Sequence, residues 1–379
     1  MKRTLVLSAI VVCGLTVAGA AAQRDAGAGQ GAGRGGGGGR GGGGGLPGIT
    51  AIEKVRDNLY KIQGAGSNTT VYVAENGVVL VDTKLANNGE GILKQVRTVT
   101  DKPVTMLINT HVHPDHNGSN DYFKTARPTV AVVAHENTAK RAKAVTPRPN
   151  PATIPDLTFD NVLRVGSGKD RIDLYYFGAG HTDGDAFVVF PSVRAMCIGD
   201  LMAWNMAPLI DPAAGGSVLA LPQTLDKAYK TIKGVDLVIE GHGNVNTFQG
   251  MRAYGEFMGA LVNAAKDGLA RKVPTDQALV TLEKNPKFAV FVKNELLKDL
   301  EYGDTPRNRA LINLNVAYQE LRGEPVTTYF GPAQPIGPEK GSAPPPAPRG
   351  GGAGRGAAPA GRGAPPAGPG TPAAPGGTP

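Results

Sequence analysis

The sequence predicts an α/β fold, a four-layer αββα sandwich with a C-terminal helical extension, on three observations. More than half of the 54 Gly and half of the 30 Pro of the 379 residues lie near the two ends, which leaves about residues 48–331 for one core. Within that stretch, short β-rich runs alternate with helical patterns. Four of the predicted strands are followed by histidine or aspartate, as a site at one rim of a β-sandwich requires.

The core opens with a predicted hairpin. Residues 68–74 and 78–82 are β-rich, and they flank Glu75-Asn76-Gly77, where Asn-Gly is a strong signal for a tight turn. The runs that follow predict, in order, a helix over 87–99, a buried strand over 104–109, a strand over 129–134 and a basic-faced helix over 136–144.

The second half of the core mixes strands and helices again. Its β-rich runs and one helical pattern predict strands over 171–177, 186–190, 193–198 and 237–240, and a helix over 221–233. From Phe248 to Arg322 the apolar spacing is helical, with a break at Lys272-Val273-Pro274. We therefore expect a main domain over 49–247 and a helical region over 248–331.

Both ends of the chain are predicted to lie outside this core. Lys2 and Arg3 precede an apolar run, and Ala20-Ala21-Ala22 supplies small residues for cleavage. Residues 1–22 thus predict a signal peptide, and with it a periplasmic or secreted protein that keeps no membrane segment after cleavage. Residues 23–48 predict a Gly-rich disordered linker and residues 332–379 a Pro/Gly/Ala-rich disordered tail, because neither buries enough apolar surface to fold.

The formal net charge of +8 belongs almost entirely to these ends, which carry +7 and leave +1 for the core. The core therefore offers no basic surface for a polyanion, and no specific nucleic-acid partner is expected. The basic ends predict weak association with an anionic envelope. After cleavage Cys197 is the only cysteine, so no internal disulfide forms.

Side chains that bind metals cluster after the predicted strands. Three of the six histidines lie in His111-Val112-His113-Pro114-Asp115-His116, and His181, Asp200 and His242 each follow another strand. Imidazole and carboxylate groups suit Zn²⁺, Fe and Mn, and seven such groups suffice for two ions that share a carboxylate. Two ions hold a bridging hydroxide, so that no Ser or Cys nucleophile is needed.

The string His111-x-His113-x-Asp115-His116, followed by His181, Asp200 and His242, resembles the metallo-β-lactamase-fold hydrolase superfamily over roughly residues 50–245. The resemblance implies a small-molecule substrate and two metal ions, which we expect to be zinc, with iron as the alternative. It implies His111, His113 and His181 on one ion, Asp115, His116 and His242 on the other, and Asp200 between them. Val81-Asp82-Thr83 resembles an early aspartate of the superfamily, which implies that Asp82 orients a ligand imidazole.

Two features of the sequence depart from the pattern of the β-lactamases in this superfamily. Asp200 stands where one lactamase subclass has a cysteine ligand, and no Lys or Arg between Leu201 and Asp226 is present to pair the carboxylate of a β-lactam. The set is closer to the glyoxalase-II-like and lactonase-like branches. Ser217 is a candidate contact for an anionic group, so lactam hydrolysis stays open, and Trp204 is predicted to reach the substrate cleft.

These residues lead to the hypothesis of an exported metal-dependent hydrolase. A metal-bound hydroxide attacks the acyl carbon of a thioester, lactone, ester or β-lactam amide, and Asp115 is the catalytic residue that helps to pass a proton to the leaving group. One alternative is a β-lactamase proper. Another is a mononuclear iron enzyme, similar to sulfur dioxygenases, because two histidines and a carboxylate also suit Fe(II). In a third alternative, the protein is not an enzyme: the metals have a structural role, and the two tails carry the function.

Overall fold

Two β-sheets form the centre of the chain in this computed structural model, which describes residues 48–145, 148–294, 297, 304–326 and 333–340. The first sheet has seven strands in chain order, namely β1 (Glu53–Arg56), β2 (Leu59–Ile62), β3 (Thr69–Val73), β4 (Val78–Val81), β5 (Val104–Ile108), β6 (Ala131–His135) and β7 (Leu157–Phe159). Strands β1 to β4 are antiparallel, whereas β4 to β7 are parallel.

The second sheet has six strands, namely β8 (Val162–Val165), β9 (Ile172–Tyr175), β10 (Phe187–Phe190), β11 (Ala195–Cys197), β12 (Leu237–Ile239) and β13 (Val245–Thr247). They lie side by side in the order β13-β12-β11-β10-β9-β8. Only β11 and β12 are parallel neighbours, and the other pairs are antiparallel.

Helices cover the outer faces of both sheets. In chain order they are α1 (Gly89–Val96), α2 (Pro114–Asn117), α3 (Asn120–Ala126), α4 (Glu136–Ala144), α5 (Leu221–Thr231), α6 (Phe248–Ala270), α7 (Thr275–Lys284), α8 (Pro286–Lys293) and α9 (Pro306–Arg322). Helices α1 and α3 pack on the first sheet, whereas α5 to α9 pack on the second. None of the described helices has both the length and the apolar character needed to cross a membrane.

The alternation of side chains along the strands explains the four layers. In β4, Val79 and Val81 face the second sheet, whereas Val78 and Leu80 face the helices. Along β10, Val188 and Phe190 join the same central layer, and Phe187 and Val189 face helices α5 to α9. Because successive residues of a strand point to opposite faces, apolar strands of this kind are buried on both sides. The predicted four-layer α/β sandwich is thus confirmed.

The hairpin at Glu75-Asn76-Gly77 forms, and β3 pairs antiparallel with β4. It does not open the domain, because β1 and β2 precede it as another antiparallel pair. The sequence pattern missed β1, since Glu53 and Lys54 are exposed and the strand has no apolar alternation. Directly after His113, Pro114 presets the φ of a first helical turn, and the short helix α2 begins there.

The C-terminal helices and the segment after them pack on the main domain. Part of the predicted tail, residues 333–340, lies against α7 and α9: Ile336 is 2% exposed, and its backbone N–H donates to the Thr275 hydroxyl. The packed chain therefore continues past the predicted boundary at residue 332. The predicted signal peptide, the linker up to residue 47 and residues 341–379 lie outside the described residues.

Candidate metal centre

The topology brings the predicted ligands to one rim of the sandwich. His111, Asp200 and His242 each lie three residues after a strand, namely β5, β11 and β12. Strands β11 and β12 are parallel, so their carboxyl ends meet at one edge of the second sheet. His181 follows β9, which runs in the same direction as β11 because both are antiparallel to β10.

Three imidazoles form the first group of the centre. The Nε2 atom of His111 lies 3.2 Å from Nδ1 of His113, which lies 2.9 Å from Nε2 of His181. Burial lowers the pKa of His111 well below its usual value and that of His181 to about 4. Both rings are therefore neutral near pH 7, which is the form that ligates a metal.

Each of these rings is held through its outer nitrogen. The Nδ1–H of His181 donates to the Leu209 carbonyl, and Nε2 of His113 lies 2.8 Å from Oδ2 of Asp211. The outer nitrogen of His111 lies 3.0 Å from the Thr110 hydroxyl. The Leu209 carbonyl and the Asp211 carboxylate can only accept, and the Thr110 hydroxyl donates its own proton to Asp82. Each outer nitrogen therefore carries a proton, which directs the three remaining lone pairs toward one point.

The second group contains two imidazoles and a carboxylate. Oδ2 of Asp115 lies 3.2 Å from Nε2 of His242 and 3.6 Å from Nε2 of His116. Asp200 lies between the two groups: Oδ1 is 3.2 Å from His116 Nε2, and Oδ2 is 3.4 Å from His242 Nε2 and 3.7 Å from His181 Nε2. All seven predicted ligands thus belong to sets whose potential ligand atoms lie within 4.8 Å of one another.

Asp82 supports the second group from behind. Its Oδ2 lies 2.7 Å from Nδ1 of His116 and accepts from the Thr110 hydroxyl at 2.7 Å, while Oδ1 accepts from the Thr110 N–H. Burial lowers the pKa of His116, but the carboxylates of Asp200, Asp82 and Asp115 outweigh it and raise that pKa to about 10. Asp82 is thus placed to keep Nε2 of His116 directed into the centre.

The donor set fits a cation. Burial raises the pKa of Asp115 and Asp200, but neighbouring His116 and His242 outweigh it and hold both pKa values well below the usual range. Within the described chain, His116 Nε2 and Asp200 Oδ1 are buried, and their approach to 3.2 Å lacks hydrogen-bond geometry, so neither atom has a hydrogen-bond partner. Buried carboxylates are costly unless positive charge compensates them, so the donor set is chemically suited to metal ions.

A cavity of about 470 Å³ opens above these groups. It is lined by the predicted ligands His113, Asp115, His181, Asp200 and His242, and by Leu85, Pro114, Ala203, Trp204, Pro208, Leu209, Ile210, Asp211 and Arg309. The Trp204 ring stacks on the His242 ring with centroids 4.4 Å apart. The cavity therefore joins a polar floor to a largely apolar wall, a combination typical of small-molecule sites.

Ser217, the predicted contact for an anionic group, lies apart from this cavity. Its hydroxyl donates to Oε2 of Glu320 at 2.6 Å on the side of helix α9. Two residues of the site escaped the sequence analysis. Asp211 had one local signal, as the single acidic residue between Asp200 and Asp226. No local signal identified Arg309, because it reaches the site from helix α9, about 100 residues later in the chain.

Comparison with known proteins gives one family. Residues 62–242 match the model of the metallo-beta-lactamase superfamily. The chain is similar to the metallo-beta-lactamase type 2 of Elizabethkingia meningoseptica, with 28% identity over 204 residues that cover 50% of this chain and 78% of the relative. It is also similar to the metallo-beta-lactamase type 2 of Bacillus sp. (strain 170), with 26% identity over 185 residues that cover 47% of this chain and 67% of the relative.

Among solved structures, the fold is similar to the stereoselective inverting sec-alkylsulfatase Pisa1 from Pseudomonas sp.. The TM-score is 0.57 and the identity 15%, over 71% of this chain and 50% of that chain. At this identity the likeness concerns the fold alone. Because it covers more of the chain than residues 62–242, the likeness extends beyond the segment that matches the superfamily.

Proposed function

We propose that this metal-dependent hydrolase binds two Zn²⁺ ions and cleaves an acyl bond of a small molecule. The premise is that residues 62–242 belong to the metallo-beta-lactamase superfamily. The observation that carries the proposal is the position of Asp200, whose two oxygens face both groups of ligand atoms at the floor of one cavity. A carboxylate in that position suits a pair of ions better than a single one.

The chain's own residues would divide the work as follows. His111, His113 and His181 would hold one ion, Asp115, His116 and His242 the other, and Asp200 would contact both. Zinc ions in these places would supply Lewis-acid activation of water and of the acyl oxygen. Asp115 borders the cavity and is 15% exposed, which supports a role for its carboxylate in passing a proton from the attacking water to the leaving group.

The apolar wall of the cavity would bind the organic part of the substrate. Trp204 and Ile210 present apolar surface to the cavity, and packing against them excludes water from the polar floor. Asp211 and Asp82 would act through the imidazoles that they contact, by fixing the direction of each ring. Esters, thioesters, lactones and β-lactams all present the acyl carbon that this arrangement requires.

The test measures turnover of p-nitrophenyl acetate by the full chain together with its metal content. His116→Ala and Asp200→Ala are each expected to abolish turnover while the circular dichroism spectrum stays that of the folded protein. The matched control is His135→Ala, since His135 is a buried histidine that ends strand β6, caps helix α4 and contacts the Asp160 carbonyl outside the cavity. We expect this variant to retain activity.

Two results would overturn the proposal. Full activity in both His116→Ala and Asp200→Ala would remove these residues from the reaction. A content of one iron per chain, with oxygen uptake and no hydrolysis of an ester, a thioester, a lactone or a β-lactam, would instead establish the iron oxidoreductase. About two zinc ions per chain with turnover of one of these four substrates is the expected result.

A further inference from the structure

One wall of the cavity is a segment with little regular structure, residues 202–220, which we call the wall loop. Ala203, Trp204, Pro208, Leu209, Ile210 and Asp211 of this loop line the cavity. Its regular structure is limited to a 3-10 turn at Pro212–Ala214 and isolated bridges at Ala203. Trp204 and Asn205 have φ angles of 52° and 53°, a backbone conformation that non-glycine residues keep only when their surroundings hold it. The wall loop therefore depends on support from elsewhere.

Helix α9 supplies that support from one of its faces. The guanidinium of Arg309 lies 5.5 Å from the centroid of the Trp204 ring, and the side-chain amide of Asn313 donates to the Pro208 carbonyl at 2.7 Å. Further along, the carboxylate of Glu320 accepts from the Ser217 hydroxyl and, at 2.8 Å, from the Val218 N–H. The spacings of four and seven residues place these three side chains on the same face of the helix.

Arg309 is itself held in one orientation. Its Nε donates to Oδ2 of Asp304 at 2.7 Å, and the two side chains are only 1% and 4% exposed. A guanidinium is planar, so fixing one of its nitrogens limits how the plane meets the indole. Trp204 in turn stacks on His242. A continuous series of contacts thus runs from Asp304 on the C-terminal side to the floor of the cavity.

We propose that Arg309 is a positioning residue that sets the shape of the substrate cavity by holding the Trp204 ring. Because Trp204 forms part of the apolar wall, its orientation determines how large an acyl group fits above the polar floor. Arg309 lies outside residues 62–242, so this part of substrate selection comes from the C-terminal helices. The statement about acyl groups rests on the proposed function, whereas the statement about Trp204 does not.

The first test uses fluorescence, because Trp204 is the single tryptophan of the chain. Arg309→Lys keeps a positive charge beside Asp304 but replaces the flat guanidinium by an ammonium group, which cannot lie against the indole in the same way. We expect a red shift of the Trp204 emission and an increase of about twofold in its quenching by acrylamide. Unchanged emission and quenching would overturn the proposal whether or not the protein hydrolyses an ester.

A control variant lies on the same helix. Arg307 is half exposed and pairs with Glu283 at 2.9 Å, so Arg307→Lys makes the same chemical change outside the wall loop. It should leave the emission and quenching of Trp204 unchanged. If Arg309→Lys does not fold, the paired variant Arg309→Met with Asp304→Asn takes its place, since it removes both charges of the buried pair together.

The second test separates a positioning role from a merely structural one. Arg309→Lys is expected to raise KM for p-nitrophenyl octanoate at least about fivefold more than KM for p-nitrophenyl acetate, because the longer acyl chain depends more on the position of the Trp204 ring. In a Trp204→Ala background the same substitution should leave the ratio of the two KM values unchanged, because the ring it holds is gone. Equal changes for both esters would overturn the role in selection. If the unsubstituted protein cleaves neither ester, the proposed acyl chemistry fails and the fluorescence test still decides the role of Arg309.

Discussion

Single polar side chains around the imidazoles determine what the candidate metal centre can hold. The ligand atoms converge because each ring has a partner on its outer side: Asp82 for His116 and Asp211 for His113. Such a partner fixes both the protonated nitrogen and the plane of the ring, which the ligand alone does not. Side chains that would contact no metal ion therefore also determine the geometry of the centre.

Asp211 allows a substitution that separates two roles. Its Oδ1 accepts from the N–H groups of Ala213 and Ala214, whereas Oδ2 contacts His113. Asp211→Asn keeps an oxygen for the turn and presents an amide N–H to His113 instead of an acceptor. We expect kcat/KM and zinc affinity to fall about 10- to 100-fold, with little loss of stability.

The comparison for this variant is Asp226→Asn. It removes the same charge from an exposed pair with Lys230, which contributes little, so activity and zinc affinity should not change. Steady-state kinetics and zinc titration with a competing chelator provide the measurements. Zinc affinity in Asp211→Asn equal to that of Asp226→Asn would show that His113 needs no acceptor at its outer nitrogen.

Among the elements, the C-terminal helices are a structural layer and not an appendage. The outward side chains of the second sheet, Phe187, Val189, Met196 and Val238, are buried in one apolar cluster with helices α5 to α9. Burying each of these side chains contributes about 1.5–3 kcal/mol, and together they approach the whole stability of a typical domain. The sheet therefore requires the helices.

A chain that ends at Thr247 tests this dependence. It keeps every predicted ligand and the whole superfamily segment but loses α6 to α9, so the outer face of the second sheet becomes exposed. We expect it to aggregate or to lack a cooperative unfolding transition, measured by size-exclusion chromatography and by circular dichroism in urea. A soluble monomer with a cooperative transition and bound zinc would show that residues 49–247 fold independently.

At the scale of the whole molecule, the composition of the two ends separates them from the reaction. The net charge of the ends, +7 of a total of +8, and their Gly- and Pro-rich sequence predict that they take no part in hydrolysis. Export through residues 1–22 also stays a prediction, which N-terminal sequencing of the protein from the periplasm or medium would test. A protein that binds its partner through its tails would instead lose its function when the two ends are removed.

Two deletions locate where the packed chain ends. Removing residues 24–47 and 341–379 should leave ester turnover and the free energy of unfolding unchanged. A deletion that begins at residue 333 instead removes Ile336, which is buried and makes two hydrogen bonds with Thr275: its N–H donates to the Thr275 hydroxyl, and its carbonyl accepts from the Thr275 N–H. We expect this longer deletion to lower the free energy of unfolding by about 3 kcal/mol, measured in urea.

Loss of activity in the shorter deletion would assign the function to the ends, in agreement with the non-enzyme alternative. Equal stability of the two deletion proteins would mean that Ile336 contributes nothing to the core. The two outcomes are independent, because the first concerns the reaction and the second the packing of one segment.

The fold class and the candidate ligands could be predicted from the amino-acid sequence, because both depend on short-range patterns. Short β-rich and apolar runs identified most central strands, and His111 to His116, His181, Asp200 and His242 each follow such a run. The exposed strand β1 was not predicted, since its neighbours in the sheet, and not its own alternation of side chains, hold it in place.

The side chains that surround the candidate ligands could not be predicted in the same way, because distant parts of the chain meet only in the folded protein. Ser217 was predicted to face the substrate, yet it is bound to Glu320, and the guanidinium absent between Leu201 and Asp226 enters the cavity as Arg309. These contacts join residues about 100 positions apart through the packing of α9 on the wall loop. The local sequence does not indicate that packing. An arginine or glutamate that pairs with a distant residue has the same sequence neighbours as one that is exposed to solvent.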